Sequence, residues 1–229
     1  MMKKNKAVIF DLFGTLIAGD SDRIAHEALS KALSKIHNNA FSWEDHLRLY
    51  NELVKHDVSS LDAVWEALLK LLHKAGLKPM VSRSDLSKMH ADFHGRYAKL
   101  RPDAPEALRR AREAVDKLGL LTDGDREIVY AIVENTGIRK FFDVIVTFDD
   151  CGVRKPDPQL FLTCLRRLGV EPTYAVMIGD RCVDVEGSVK VGMKAVLLGS
   201  AENCSVKPHA EVSSLLEAVD KALVLLGLC

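Results

Sequence analysis

Val8-Ile9-Phe10-Asp11-Leu12-Phe13-Gly14-Thr15 is an apolar run that ends abruptly in an aspartate and a glycine. A short apolar run closed by a turn signal reads as a buried strand that hands its last residue to a loop. In open α/β sheets, ligands bind at the loops on the carboxyl ends of the strands, so the pattern puts the Asp11 carboxylate where it can act on one. Asp-x-x-Gly-Thr after a strand is also ordinary turn chemistry. The weight comes from further along the chain, where Thr122, Lys155, Asp180 and Asp184 each follow closely on an apolar run.

Two textures alternate around these positions. From about Asp20 to Leu100 the pattern is helical. Leu61, Val64, Trp65, Leu68, Leu69 and Leu72 lie on one helical face, and Leu86, Met89, Phe93, Tyr97 and Leu100 make a second stripe. Ile24, Leu29, Ala32, Leu33 and Ile36 make a looser third. Ser42 with Asp45, and Ser82 with Asp85, have the spacing of helix-start capping boxes. After Pro102, short runs at Leu118–Thr122, Val144–Phe148, Ala175–Ile178 and Ala195–Leu198 alternate with helical stripes. Gly119, Gly137, Gly169 and Gly192 are expected to close helices in the left-handed conformation. Strand–helix alternation implies an α/β, doubly wound parallel sheet with helices on both faces. The first strand, residues 7–10, belongs to that sheet although the helical segment separates them. The expected division is a core of residues 1–17 plus 97–229 and an inserted helical domain of residues 18–96.

Composition narrows the classes. The 229 residues carry 32 Lys and Arg against 32 Asp and Glu. Neither sign forms a long block, which argues against a nucleic-acid footprint or a polybasic membrane patch. No apolar run approaches the ~18 residues of a membrane span, and Met1-Met2-Lys3-Lys4-Asn5-Lys6 leads into a strand too short for a signal peptide. The five cysteines are scattered, fit no zinc spacing and are expected to be free thiols in a reducing compartment. These features point to a cytoplasmic protein, a monomer or small homo-oligomer, that acts on a small molecule rather than on nucleic acid or a membrane.

Side by side on one sheet edge, Asp11, Thr122, Lys155, Asp180 and Asp184 would face one crevice. Two carboxylates ~4 Å apart repel by about 4 kcal/mol at an effective dielectric of 20. Lys155 alone cannot balance three of them, so a divalent cation completes the set. Oxygen ligands without histidine or cysteine favour Mg²⁺ over zinc.

These residues resemble the haloacid dehalogenase-like hydrolase superfamily over most of the core. Asp11-Leu12-Phe13-Gly14-Thr15 is similar to its first motif and Leu120-Leu121-Thr122-Asp123-Gly124 to its second. Val153-Arg154-Lys155-Pro156-Asp157-Pro158 matches the third, and Val176-Met177-Ile178-Gly179-Asp180 with Asp184 the fourth. The helical insertion looks like that family's cap. The resemblance implies a Rossmann-like core and a Mg²⁺-dependent phosphatase acting on a small phosphorylated metabolite. Asp11 would be the nucleophile, and would form an aspartyl-phosphate that water hydrolyses. Mg²⁺ would be bound by Asp11, the Phe13 backbone carbonyl and Asp180, with Asp184 holding a metal-bound water or positioning Lys155. Thr122 and the Asp123 backbone N–H would hold the phosphoryl oxygens, and Lys155 would balance their charge.

Phe13 departs from the phosphatase pattern, which puts a second aspartate, the general acid/base, at that position. The family's metal-independent 2-haloacid dehalogenases carry an aromatic residue there, because halide leaves without a proton. Those enzymes also use an arginine early in the insertion. Arg23 and Arg48 are available but read as surface charges. Against a dehalogenase stands Gly179-Asp180 followed by Asp184, the metal-binding form of the fourth motif. A third possibility is a phosphoryl-ligand binder that has lost turnover. His90 and His94 have i, i+4 spacing but no evident third ligand, and are expected to be a helix-surface pair. Cys182, inside the fourth motif, is expected to be a small packed residue.

Overall fold

Residues Ala7 to Phe10 are completely buried, as a strand covered on both faces must be. They form β1 (Ala7–Phe10) in a computed structural model that describes residues 5–56 and 58–228. With β2 (Lys117–Leu121), β3 (Val144–Val146), β4 (Ala175–Gly179), β5 (Lys194–Leu198) and β6 (Ala210–Val212), β1 builds a six-stranded sheet in the order β3-β2-β1-β4-β5-β6. Every strand pair is parallel. The α/β, doubly wound expectation therefore holds, with β6 as an edge strand that the apolar pattern of Ala210-Glu211-Val212 does not announce. The chain leaves β1 toward β2 and β3, then returns to its other side with β4. The order thus reverses at β1, where such sheets bind their ligands.

The helices are α1 (Ser21–Ile36), α2 (Trp43–Leu53), α3 (Ser60–Lys74), α4 (Arg83–Tyr97), α5 (Ala104–Ala114), α6 (Arg126–Asn135), α7 (Pro158–Leu168), α8 (Cys182–Lys190) and α9 (Leu215–Leu225). Two compact units result. One comprises residues 1–19, 99–123 and 137–229, and the other residues 20–98 and 124–136.

In the sheet unit, α7 buries Leu160, Phe161, Cys164, Leu165 and Leu168 against Ile9, Leu121, Val146 and Met177. Helix α7 packs on α8, and α5 packs on α9. Gly137, Gly169 and Gly192 adopt the expected left-handed conformation, but Gly119 lies inside β2. A Cβ there would press on Leu168, Cys164 and Ile9 at 3.1 to 3.2 Å, so its glycine serves close helix–strand approach, not a helix end.

The helical unit has its own core of Leu29, Leu33, Ala63, Val64, Ala67, Leu68, Leu72 and Leu86. The Ser42 side chain caps α2, and Ser82 with Asp85 forms the capping box of α4. Segment 124–136 belongs here because α4 lies against α6 at Gly95, where a Cβ would strike Asn135 and the Ala131 carbonyl. Helix α4 corrects a sequence expectation. Its buried face carries Leu86, His90, His94 and Gly95, while Tyr97 of the expected stripe is 37% exposed, so the two histidines are not a surface pair.

Cys182 and Cys204 are joined in a disulfide. The segment after β5 turns back along α8 and brings together two residues 22 apart in sequence. The expectation of five free thiols therefore fails for this pair, and with it the use of the cysteines as a sign of a reducing compartment. Cys151 and Cys164 are free thiols, and Cys229 lies outside the described residues. Among the described residues, no helix is long and apolar enough to cross a membrane.

Candidate active site

The parallel register carries the motif residues to one end of the sheet. Phe10 pairs with Leu120 on one side and Ile178 on the other, so Asp11, Thr122 and Asp180 emerge together just beyond the strands. The Asp11 N–H donates to the Ile178 carbonyl at 2.9 Å, and the Thr122 N–H to the Val146 carbonyl at 3.0 Å. Both residues are held by the ladder itself, since each continues its strand by one peptide.

After Asp11 the chain turns tightly, with Leu16 N–H donating to the Leu12 carbonyl and Gly14 N–H to that of Ile17. Gly14 has φ +83°, and any Cβ there would collide with the Asp180 carboxylate. The turn needs glycine both for its dihedral and for room. Phe13 is half-buried in this turn. Thr15 is fully buried, and its hydroxyl lies 3.3 Å from Asp11 Oδ2 and 3.1 Å from Asp180 Oδ1.

Lys155 is the electrostatic centre. Its buried Nζ donates to Asp11 Oδ1 and Asp184 Oδ1, each at 2.6 Å. The second oxygen of Asp184 accepts the Arg181 N–H at 3.0 Å, which fixes that carboxylate at the first turn of α8. Asp123 holds Lys155 from behind. Its Oδ1 accepts the Lys155 N–H at 2.8 Å and its Oδ2 the Arg181 guanidinium at 2.7 Å, while its carbonyl accepts from Arg154.

Burial pushes the Asp11 carboxyl well above the usual carboxylate range; Lys155 pulls it back and Asp184 pushes it up again. Asp180 is raised by burial and by Asp184, against the Thr15 hydrogen bond. Burial would lower Lys155, but Asp11, Asp184 and Asp123 outweigh it and hold the ammonium charged. One ligand oxygen from each of Asp11, Asp180 and Asp184 falls within 4.8 Å of the others. One ammonium against three crowded carboxylates leaves a deficit of positive charge, and this acidic set could hold a metal ion.

The sequence-predicted Asp11, Phe13, Thr122, Asp123, Lys155, Asp180 and Asp184 all lie at this end of the sheet. The motif pattern does not mark Thr15 as a link between the two aspartates or Arg181 as a second cation. Both sit inside the quoted motifs, but a threonine in a turn and an arginine at a helix start carry no signal of what they touch. Arg23 and Arg48 are 66% and 72% exposed, as surface charges.

The chain is similar to known proteins in sequence and in fold. A glyceraldehyde 3-phosphate phosphatase of Methanopyrus kandleri is 31% identical over 209 residues, 89% of this chain and 88% of its own. The crystal structure of a HAD phosphatase from Thermococcus onnurineus superposes with a TM-score of 0.69 at 28% identity, covering 93% of this chain and 95% of that one. A 2-haloacid dehalogenase from Pseudomonas syringae pv. Tomato DC3000 gives 0.76 at 25% identity, covering 96% and 98%. Residues 5–192 match the haloacid dehalogenase-like hydrolases as a family, and with the four motifs gathered at the end of this sheet the chain belongs to that family.

Proposed function

We propose that the protein is a phosphoric monoester hydrolase that acts on a small phosphorylated metabolite through an aspartyl-phosphate on Asp11. The observation that carries this reading is the buried Asp11 carboxylate, bound to Lys155 at 2.6 Å and grouped with Asp180 and Asp184. A relative named as a phosphatase at 31% identity supports the choice of phosphoryl chemistry.

On this reading an Asp11 oxygen attacks phosphorus as the bond to the leaving oxygen breaks, and the leaving oxygen takes its electron pair and then a proton from solvent water. Water then attacks the acyl phosphate, phosphate departs, and the Asp11 carboxylate is restored. Thr122 and the Asp123 N–H hold the phosphoryl oxygens, and Lys155 balances their charge. Mg²⁺ fits the all-oxygen set of Asp11, the Phe13 carbonyl and Asp180, and when bound it supplies positive charge to the phosphoryl group. Both Asp184 oxygens are already engaged, by Lys155 and the Arg181 N–H, which suits a role in positioning Lys155. We further propose that substrate choice resides in residues 18–96, the expected cap. Exchanging them with those of a relative should redirect substrate preference.

Phosphate release from a panel of phosphorylated metabolites, abolished by EDTA and restored by Mg²⁺, is the expected result. Phe13 and the dehalogenase of similar structure favour a second reading, a metal-independent 2-haloacid dehalogenase. Halide release from 2-chloropropionate in EDTA, with no phosphate release from any ester, would select it.

A further inference from the structure

Outside the acidic site, the helical unit holds a second cluster of ligand-type side chains. His26 on α1 and His90 and His94 on α4 offer one ring nitrogen each within 4.8 Å of one another. All three are buried, at 1 to 2% exposure. His26 Nε2 and His90 Nε2 converge on the Ser60 hydroxyl, at 3.4 and 3.2 Å, and Tyr50 Oη lies 2.7 Å from the same His26 nitrogen. His26 Nε2 and His94 Nδ1 also converge on Asp22 Oδ1, at 3.7 and 3.5 Å. The other ring nitrogen of His94, Nε2, is buried without a hydrogen-bond partner. Nothing in the catalytic reading uses any of these groups.

Three imidazoles and a carboxylate are the donor set of a borderline-soft transition cation, not of Mg²⁺. We propose that His26, His90 and His94, completed or oriented by Asp22, form a Zn²⁺ site that ties α1 to α4. Histidines at i and i+4 on one helix present their rings on one side, and α1 supplies the third. Zn–N bonds of 2.0–2.1 Å place ligand nitrogens roughly 3.4 Å apart, so small side-chain rotations close the observed spacing. Asp22, 3.7 Å from His26 Nε2 and 3.5 Å from His94 Nδ1, provides anionic charge for a divalent ion. A carboxylate against one imidazole N–H, with the metal on the opposite nitrogen, is also the usual way such a ring is oriented. Burial keeps all three rings neutral, the form that ligates: His94 falls to about 4, and His26 and His90 fall well below their ordinary value.

The test uses the full-length protein stripped with EDTA and titrated with Co²⁺ and Zn²⁺ in millimolar Mg²⁺. Co²⁺ should bind at one equivalent with the intense visible absorption of a nitrogen-rich site of low coordination number. Zn²⁺ should displace it, shift the ring ¹⁵N resonances of His26, His90 and His94, and slow amide exchange in α1 and α4. His94→Gln should lose the absorption, whereas Asp180→Asn should keep it. No visible band in the wild-type protein, or unmoved histidine ring resonances under Zn²⁺, would overturn the proposal even if the variant failed to fold. So would a band that survives His94→Gln and vanishes in Asp180→Asn, which would put the cation among the carboxylates.

Discussion

Lys155→Met should unbalance the sheet end in a way that a cation can repair. The ammonium lies 2.6 Å from both Asp11 Oδ1 and Asp184 Oδ1, with all three side chains at 5% exposure or less. At an effective dielectric of 20, each such attraction is on the order of 4 kcal/mol even at ~4 Å, and desolvation consumes much of it. Methionine fills the stem's volume but leaves two buried carboxylates beside Asp180 without the ammonium that binds both. Removing one partner of a buried pair typically costs about 3–5 kcal/mol. For a chain of this length, about 2–4 °C of melting temperature follows each kcal/mol, so the sheet unit should melt roughly 10 °C lower in EDTA at pH 7. Mg²⁺ should then raise the melting temperature of the variant more than that of the wild type, because it replaces charge that the wild type already has. Turnover should stay at least about 10²-fold down even with Mg²⁺, since no donor replaces Nζ at the phosphoryl oxygens. Calorimetric melts of both proteins with EDTA and with Mg²⁺ make the comparison. A loss below 2 °C, or equal Mg²⁺ stabilisation of both proteins, would refute the view that Lys155 holds this site together.

Asp11→Asn should abolish turnover while leaving the fold intact, because the amide keeps the shape but is a poor nucleophile; a steady-state assay on protein free of host phosphatase checks it, and retained activity rules out Asp11. Gly14→Ala combines a φ of +83° with a collision against Asp180, so it should cost about 1–3 kcal/mol and weaken Mg²⁺ binding, read by calorimetric titration. The helical unit should be acid-labile in EDTA. Burial holds His46 and His94 at about 4, against 6.5 for ordinary histidine. The unfolded chain therefore binds more protons, and stability is lost as pH falls from 6.5 toward 4. Each ring should cost about 2 kcal/mol between pH 7 and pH 5, and His26 and His90 shift in the same direction. Asp22, raised by burial to about 6, opposes this, but its side chain is half exposed and solvent screens it. Hydrogen exchange of α1 and α4 at the two pH values measures the loss. With Phe13 in place of an acid, aryl phosphates should turn over far faster than alkyl phosphates, and a flat dependence of rate on leaving-group pKa would show that another group supplies the proton.

The sheet and its acidic end were legible because buried parallel strands and strand-end turns leave local marks. An apolar run of four residues, a glycine where φ must be positive and an acid at a helix start each occupy a few consecutive positions. What was not legible depends on which face of an element is buried. The apolar stripe of α4 points to a face through Phe93 and Tyr97, yet the helix turns His90 and His94 inward, where the Ser60 hydroxyl meets His90 and the His26 ring packs edge-on against His94. The grouping of residues 124–136 with the helices depends on Gly95 letting α6 approach α4 at Ala131 and Asn135, far along the chain from Gly95. The Cys182–Cys204 disulfide depends on a loop reversal that no local pattern records.

Charge closure orders the events proposed at Asp11. Without a cation, three carboxylates share one ammonium, and burial with mutual repulsion raises Asp11 and Asp180. Lys155 and one divalent ion together would neutralise the three acids, so cation binding would favour the anionic, nucleophilic form of Asp11. A fourth carboxylate at position 13 would leave that set negative again, and Phe13 avoids this at the expense of a proton donor. Arg181 adds a guanidinium at the edge of that set. Burial alone would lower it, but Asp123, Asp184 and Asp11 hold it charged, and it is paired with Asp123 beside the Thr122–Asp123 turn. A phosphate ester that reaches the site would meet a cationic donor there. The leaving-group limit set by Phe13 and the affinity for phosphate esters are therefore separable: Arg181→Gln should raise KM more than it lowers kcat, and a change confined to kcat would place Arg181 at the reacting oxygens instead.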